Sequence, residues 1–102
     1  LALKYADDSL KRDRGVVLAA VNKKDIGGFK YADASLRRDR DVVLAAVKQK
    51  GRLLRFADAS LKRDRDIVMA AVKQSGGALK YSDESLQRDR DVVMAAVAQS
   101  GP

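Results

Sequence analysis

One short motif occurs four times in this chain, and this repetition constrains the fold more than any other feature. In every copy an aromatic residue, a small residue and Asp lead into Ser-Leu, then Arg-Asp-Arg and a valine-rich run. The aromatic residues are Tyr5, Tyr31, Phe56 and Tyr81. Successive copies are therefore about 25 residues apart, a period typical of helical units that stack into a solenoid.

Each copy carries the sequence signals of two helices. In the second copy Asp33 precedes Ser-Leu-Arg, and Asp39 precedes the valine-rich run. Aspartate at such positions caps a helix by accepting hydrogen bonds from free backbone N–H groups. We expect a short helical turn after Asp33 and a longer helix from Arg40 to about Gln49. A further short helical segment is predicted at Phe29–Ala32. The expected caps of the longer helices are Asp13, Asp39, Asp64 and Asp89.

A buried strand is the competing interpretation of the apolar run Val42–Val47, because a short apolar run does not reveal its own secondary structure. The Ala pair, the acidic cap and a segment of about ten residues favour a helix. A glycine follows the valine-rich run in the second, third and fourth copies and predicts a left-handed helix end; these glycines are Gly51, Gly76 and Gly101. On a helical wheel the apolar side chains cover about 200°. A helix with so wide an apolar surface needs neighbours on both sides.

These observations predict an all-α fold, a short α-solenoid of four tandem helix-turn-helix repeats of about 25 residues. The whole chain, residues 1–102, forms one repeat domain. Its repeats cover approximately residues 1–26, 27–51, 52–76 and 77–102. The outer copies depart from the inner ones, since Gly15 replaces an Asp and Gln87 replaces a basic residue. An isolated repeat is expected to be unfolded, because its apolar side chains are too few to offset the entropy of ordering it.

The repeated pattern resembles the tandem helical repeat known as domain of unknown function 4116. The segment Asp39–Gln49, Asp-Arg-Asp-Val-Val-Leu-Ala-Ala-Val-Lys-Gln, carries the resemblance most closely, with Asp41 where Glu is more frequent. Asp33 stands where the family frequently has Ser, and Ser35 where it frequently has Glu. The resemblance implies tandem α-helical repeats and no particular activity.

Composition excludes several classes of function. The chain has no Cys, His or Trp, so thiolate and imidazole metal sites, disulfides and His-based acid–base catalysis are ruled out. We expect no enzymatic activity and no cofactor. The apolar runs are far shorter than the roughly 20 residues that a membrane-spanning helix requires. The compartment is not specified, and we expect a soluble protein that is intracellular or organellar rather than secreted.

Basic residues form the candidate binding face. The formal net charge is +7 and is unevenly distributed, because the first three repeats hold eighteen basic and ten acidic residues and the last holds three and four. Arginines recur at the same positions in successive repeats and should line one edge of the stack. The candidate binding residues are Arg12, Arg38 and Arg63, then Arg14, Arg40 and Arg65, and finally Lys11, Arg37 and Lys62.

Two interpretations of these arginines remain open at this point. Each lies beside Asp in sequence, so the guanidinium groups are suited to structural ion pairs with the adjacent repeat. Alternatively they bind a partner. The leading hypothesis is a protein–protein interaction module, or a structural subunit of a larger assembly, that meets an acidic protein surface. The alternative is non-specific nucleic-acid binding through the arginine ladder. Anionic lipid head groups, or a purely structural spacer, are the remaining possibilities.

Overall fold

The computed structural model describes residues 2–23 and 29–100. Its elements are helical: α1 (Asp8–Lys11), α2 (Arg14–Asn22), α3 (Ala34–Arg37), α4 (Arg40–Gln49), α5 (Ala59–Lys62), α6 (Arg65–Gln74), α7 (Glu84–Gln87) and α8 (Arg90–Ser100), with 3₁₀ segments at Ala2–Tyr5, Gly51–Phe56 and Gly76–Tyr81. The described residues contain no strand. The predicted all-α fold of tandem repeats is confirmed.

Every repeat places a short helix before a long one, and an aspartate begins each of them. The Asp39 carboxylate accepts hydrogen bonds from the N–H groups of Asp41 and Val42, at 3.0 and 3.2 Å, and so caps α4. At α3 the Asp33 carboxylate accepts one from the N–H of Ser35 at 3.0 Å. Asp13, Asp64 and Asp89 occupy the same capping position before the other long helices. These hydrogen bonds fix where each helix begins, because they satisfy N–H groups that have no partner inside the helix.

The long helices form one layer, in which α2, α4, α6 and α8 each contact the next. In α4, Val42, Val43, Ala46 and Val47 are all fully buried, since the helix lies between α2 and α6. The repeats are also joined through their short helices. The Asp33 N–H donates to the Lys11 carbonyl at 3.0 Å, and the same bond recurs from Asp58 to Arg37 and from Asp83 to Lys62. Each repeat is thus completed by its neighbours.

The predicted left-handed helix end at Gly51 is wrong. Gly51 does not end α4 in a left-handed conformation, because Lys50 leaves the helix in extended backbone and Gly51 begins the following 3₁₀ segment. The Gly51 N–H donates to the side-chain oxygen of Gln74, and a Cβ at this position would overlap the carbonyl oxygen of Ala71 in α6. Glycine is needed here for close contact between repeats. Gly76 begins its 3₁₀ segment in the same way, and Gly101 lies outside the described residues.

The aromatic segment of each repeat lies against the long helices. The prediction of a short helix at Phe29–Ala32 holds for Phe29 and Lys30, which are helical, whereas Tyr31 already lies in a turn. In the third and fourth repeats this segment is a six-residue 3₁₀ helix, and these two 3₁₀ helices contact each other. The molecule measures 42 × 26 × 16 Å, as expected of a short stack. In the described part of the chain, every helix is too short or too polar to cross a membrane.

Candidate interaction surface

The second arginine of each Arg-Asp-Arg motif pairs with the next repeat. Arg14 donates from Nε to Asp39 Oδ2 at 2.8 Å and from Nη2 to Asp41 Oδ2 at 3.1 Å. Arg40 and Arg65 repeat this arrangement on the aspartates of the third and fourth repeats, with Nε–Oδ2 distances of 2.9 and 3.0 Å. One guanidinium therefore bridges the N-cap and the first turn of the neighbouring long helix. These three arginines are engaged in holding the stack together.

The ion pairs shift the pKa of both partners. The hydrogen bond from Arg14 lowers the pKa of Asp39, although partial burial opposes the effect. At Asp64 burial is the largest influence and raises the pKa, but Arg40 and the backbone N–H groups together outweigh it, and the pKa is lowered. The pKa of Arg40 is raised, chiefly by its hydrogen bond to Asp64. The carboxylates therefore remain ionised to a lower pH than they would in the unfolded chain.

The first arginine of the motif is placed differently in the first three repeats. Arg12, Arg38 and Arg63 follow the short helices as C-cap residues, and their side chains are exposed. Within residues 2–23 and 29–100 they make no hydrogen bond or ion pair through their side chains. We name these three residues the free arginine row. In the fourth repeat Arg88 instead pairs with Glu84, with Nη2 and Oε2 3.3 Å apart, so the row stops there.

The free arginine row lies close to the aspartates that cap the short helices. The charge of Arg12 acts on both Asp7 and Asp33, and that of Arg63 acts on both Asp58 and Asp83. Arg12 and Arg63 thus each act on the cap of their own repeat and on that of the next, and Arg38 acts on Asp58, the cap of the next repeat. The surface alternates in sign along the stack instead of being uniformly basic.

The third set of predicted residues, Lys11, Arg37 and Lys62, ends the short helices and is half-buried. Their backbone carbonyls accept the hydrogen bonds that join neighbouring repeats. The Nε atom of Arg37 is buried and has no hydrogen-bond partner in the described part of the chain. In the fourth repeat the Gln87 side chain donates to the Ser82 carbonyl at 3.0 Å. In the first three repeats this position joins the next repeat through its backbone carbonyl, and its side chain is half-buried.

The serine that recurs in every short helix binds the capping aspartate of that helix. The Ser35 hydroxyl donates to Asp33 Oδ2 at 2.7 Å, and its backbone N–H donates to the same oxygen. The three other copies have the same arrangement; the residues are Ser9, Ser60 and Ser85. The pKa of Asp33 is lowered, first by the backbone N–H and then by the hydroxyl. These serines therefore stabilise the start of the short helix.

The family of the chain follows from comparison with known proteins. The family model described as Domain of unknown function (DUF4116) matches residues 23–62 and 64–102. The chain belongs to this family. Each of the two matches spans more than one repeat of this DUF4116 chain, in agreement with the tandem arrangement of its helices. A search of curated proteins and a search of solved structures found no match.

A second set of contacts between the repeats of this DUF4116 chain was not foreseen. The Lys30 ammonium lies 5.5 Å from the ring centre of Tyr31 and 5.8 Å from that of Phe56 in the next repeat. Lys4 is placed in the same way between the rings of Tyr5 and Tyr31. The sequence signal that could have predicted these contacts is the Lys or Arg that precedes each of the four aromatic residues. These cation–π contacts, together with partial burial, leave the rings after Tyr5 poorly placed to stack on bases.

Proposed function

We propose that this chain is a non-enzymatic helical-repeat module that binds an acidic segment of another protein along the free arginine row. One observation carries the proposal: Arg12, Arg38 and Arg63 are exposed and unpaired among the described residues, whereas Arg14, Arg40 and Arg65 are neutralised by neighbouring aspartates. An exposed guanidinium without a carboxylate partner is well suited to bind one from another molecule.

The spacing of the row suggests the form of the partner. Packed helices are about 8–10 Å apart, so equivalent arginines in successive repeats should be separated by about that distance. A polyproline II segment has three residues per turn and rises about 9 Å per turn, which places every third side chain on one face. An extended segment with Glu or Asp at every third position therefore matches the spacing expected of the row.

The alternating charge favours a protein partner over a nucleic acid. The capping aspartates Asp33 and Asp58 lie close to the row and would repel a continuous phosphate backbone. Separate carboxylates on a peptide reach the arginines without meeting every aspartate. Nucleic-acid binding remains the second candidate, because the first three repeats hold eighteen basic and ten acidic residues.

The test compares two triple variants of equal charge. One is Arg12→Gln, Arg38→Gln and Arg63→Gln; the control is Lys23→Gln, Lys48→Gln and Lys73→Gln, which removes three exposed charges at the ends of α2, α4 and α6. Fluorescence anisotropy would measure binding of a labelled peptide with Glu at every third position. We expect the arginine variant to lose about tenfold or more in affinity, which corresponds to about 1.4 kcal/mol. Equal losses in both variants would show that net charge, and not the row, determines binding.

Nucleic acid is the second arm of the experiment. Wild-type protein is titrated with duplex and single-stranded DNA at low and moderate salt. Binding of DNA that weakens steeply as salt rises, without binding of the peptide, would replace the proposal by the nucleic-acid alternative. If neither ligand binds at low salt, the free arginine row is not a site of charge recognition.

A further inference from the structure

The two ends of the stack expose apolar side chains that are buried at equivalent positions inside it. Val97 in the last repeat is 65% exposed, whereas Val72, its equivalent one repeat earlier, is fully buried. Leu10 in the first repeat is 45% exposed, whereas Leu86, its equivalent in the last repeat, is 8% exposed. These differences do not come from the residue types, because the residues are identical within each pair.

The exposure pattern identifies what each position faces. A position that is exposed only in the last repeat faces the following repeat, and one that is exposed only in the first faces the preceding repeat. The last repeat therefore presents a trailing face containing Met94 and Val97, and the first presents a leading face containing Tyr5 and Leu10. These two faces are the two halves of the interface that neighbouring repeats form inside the molecule.

Polar groups at the ends match in the same way. Arg90 is equivalent to Arg65 but has no ion pair among the described residues. At the other end the Asp13 carboxylate accepts a hydrogen bond from the Val16 N–H. Its equivalent Asp39 is also bound by Arg14, but in the described part of the chain Asp13 is bound by no arginine. Inside the stack these two positions form the bridging ion pair.

The backbone and the charge distribution agree with this complementarity. Inside the stack the Asp33 N–H donates to the Lys11 carbonyl of the preceding repeat. The equivalent donor in the first repeat is the Asp7 N–H, and the equivalent acceptor in the last is the Gln87 carbonyl. Within residues 2–23 and 29–100 neither has a partner in another repeat. The first repeat has six basic and four acidic residues, and the last has three and four. Opposite net charges at the two ends favour contact between unlike ends.

We infer that a second copy of this chain docks its leading face onto the trailing face of the first, so that the stack continues from one molecule into the next. Met94 and Val97 then pack against the second copy's first repeat, and Arg90 pairs with Asp13 of that copy. Gly15 stands where the inner repeats have a first-turn aspartate, so Arg90 meets one carboxylate instead of two. Because the two faces differ, each added copy leaves a free face at both ends, and open chains form.

Sedimentation equilibrium from micromolar to millimolar protein tests this inference. The weight-average mass of wild type is expected to rise with concentration, whereas Leu10→Glu and Val97→Glu should each remain monomeric. The matched control is Ala98→Glu, which places the same charge next to Val97 at a position that is exposed in the last three repeats. Ala98→Glu is expected to associate as wild type does. Circular dichroism establishes that each variant is folded.

Mixing the two monomeric variants separates unlike-end docking from symmetric pairing. Leu10→Glu keeps an intact trailing face and Val97→Glu an intact leading face, so an equimolar mixture should form a one-to-one dimer and nothing larger. If Leu10→Glu dimerises by itself, trailing faces pair with each other and the inference is wrong. It is also wrong if wild type remains monomeric throughout, or if Ala98→Glu associates as weakly as Val97→Glu. The result does not depend on the free arginine row, so it leaves the proposed function untouched.

Discussion

Replacing the same residue by alanine at Val72 and at Val97 should have very different effects on stability. The two valines occupy equivalent positions in α6 and α8, and both follow an Ala-Ala pair. Val72 is fully buried, whereas Val97 is 65% exposed. The comparison isolates the contribution of a following repeat, because the chemical change and the intrinsic helix propensity are the same at both sites.

The expected magnitude follows from the burial of each side chain. Removing one buried methylene group, as in Ile→Val, costs about 0.5–1.5 kcal/mol, so the two carbons lost in Val72→Ala cost about 1–3 kcal/mol. Alanine returns about 0.5 kcal/mol at either site because it is the better helix former. At Val97 about a third of the transfer free energy is lost and no enclosed cavity forms, which leaves a net change near zero. The difference between the variants is therefore about 1.5 kcal/mol, the middle of a range of about 0.5–2.5 kcal/mol.

Urea denaturation followed by circular dichroism at low protein concentration measures this difference. Both variants should retain the wild-type dependence on urea, so that the change appears in the midpoint. For a domain of this size, about 1 kcal/mol corresponds to about 4–8 °C in Tm. Equal destabilisation at Val72 and Val97, or a loss below about 0.5 kcal/mol at Val72, would refute the argument that each repeat covers its neighbour.

Three further predictions concern contacts between repeats. Gly51→Ala should lower the free energy of unfolding by about 1–3 kcal/mol in urea denaturation, because the added Cβ overlaps the Ala71 carbonyl. Gly77→Ala should cost less, because its Cβ meets only the flexible side chain of Arg52. A larger loss for Gly77→Ala than for Gly51→Ala would contradict the role of Gly51 in close contact. Asp64→Asn should keep the capping hydrogen bonds and lose only the ion pair with Arg40, whereas Asp64→Ala loses both. Asp64→Ala should therefore be less stable than Asp64→Asn by about 1 kcal/mol. Equal midpoints of urea unfolding for the two variants would contradict the capping role. Because folding lowers the pKa of Asp64, this residue stabilises the fold above its unfolded pKa of about 3.9, and the contribution is lost as pH falls through the folded pKa. Tm measured from neutral to acidic pH should therefore decrease in that range, and it should decrease less steeply in Asp64→Asn. A Tm that is independent of pH would contradict the shift.

Local sequence determined the helices of this protein. Asp39 before the apolar run predicted a helix from Arg40 to about Gln49, and α4 has those bounds. The prediction succeeded because an N-cap and the helix that it starts are a few residues apart, so the physical cause and its effect lie in one segment of the chain. The repeated motif then extended the same assignment to the other long helices.

Gly51 shows where local information was insufficient. A glycine after a helix is consistent with a left-handed helix end and equally consistent with close contact to another segment. The distinction depends on Ala71, which lies twenty residues further along and approaches Gly51 only when α6 packs on α4. The sequence-based choice of a left-handed end was therefore wrong, for a reason that lies outside the local sequence.

The two arginines of each motif make the same point about the candidate site. Arg12 and Arg14 are two residues apart and have similar neighbours in sequence, yet Arg14 pairs with Asp39 and Arg12 is free among the described residues. Stacking brings the paired carboxylate from the next repeat to one guanidinium and not to the other. The sequence by itself determined the repeats, their caps and their helices, whereas the tertiary structure decided which identical side chains are covered, because burial and pairing depend on a neighbour that is a full repeat away.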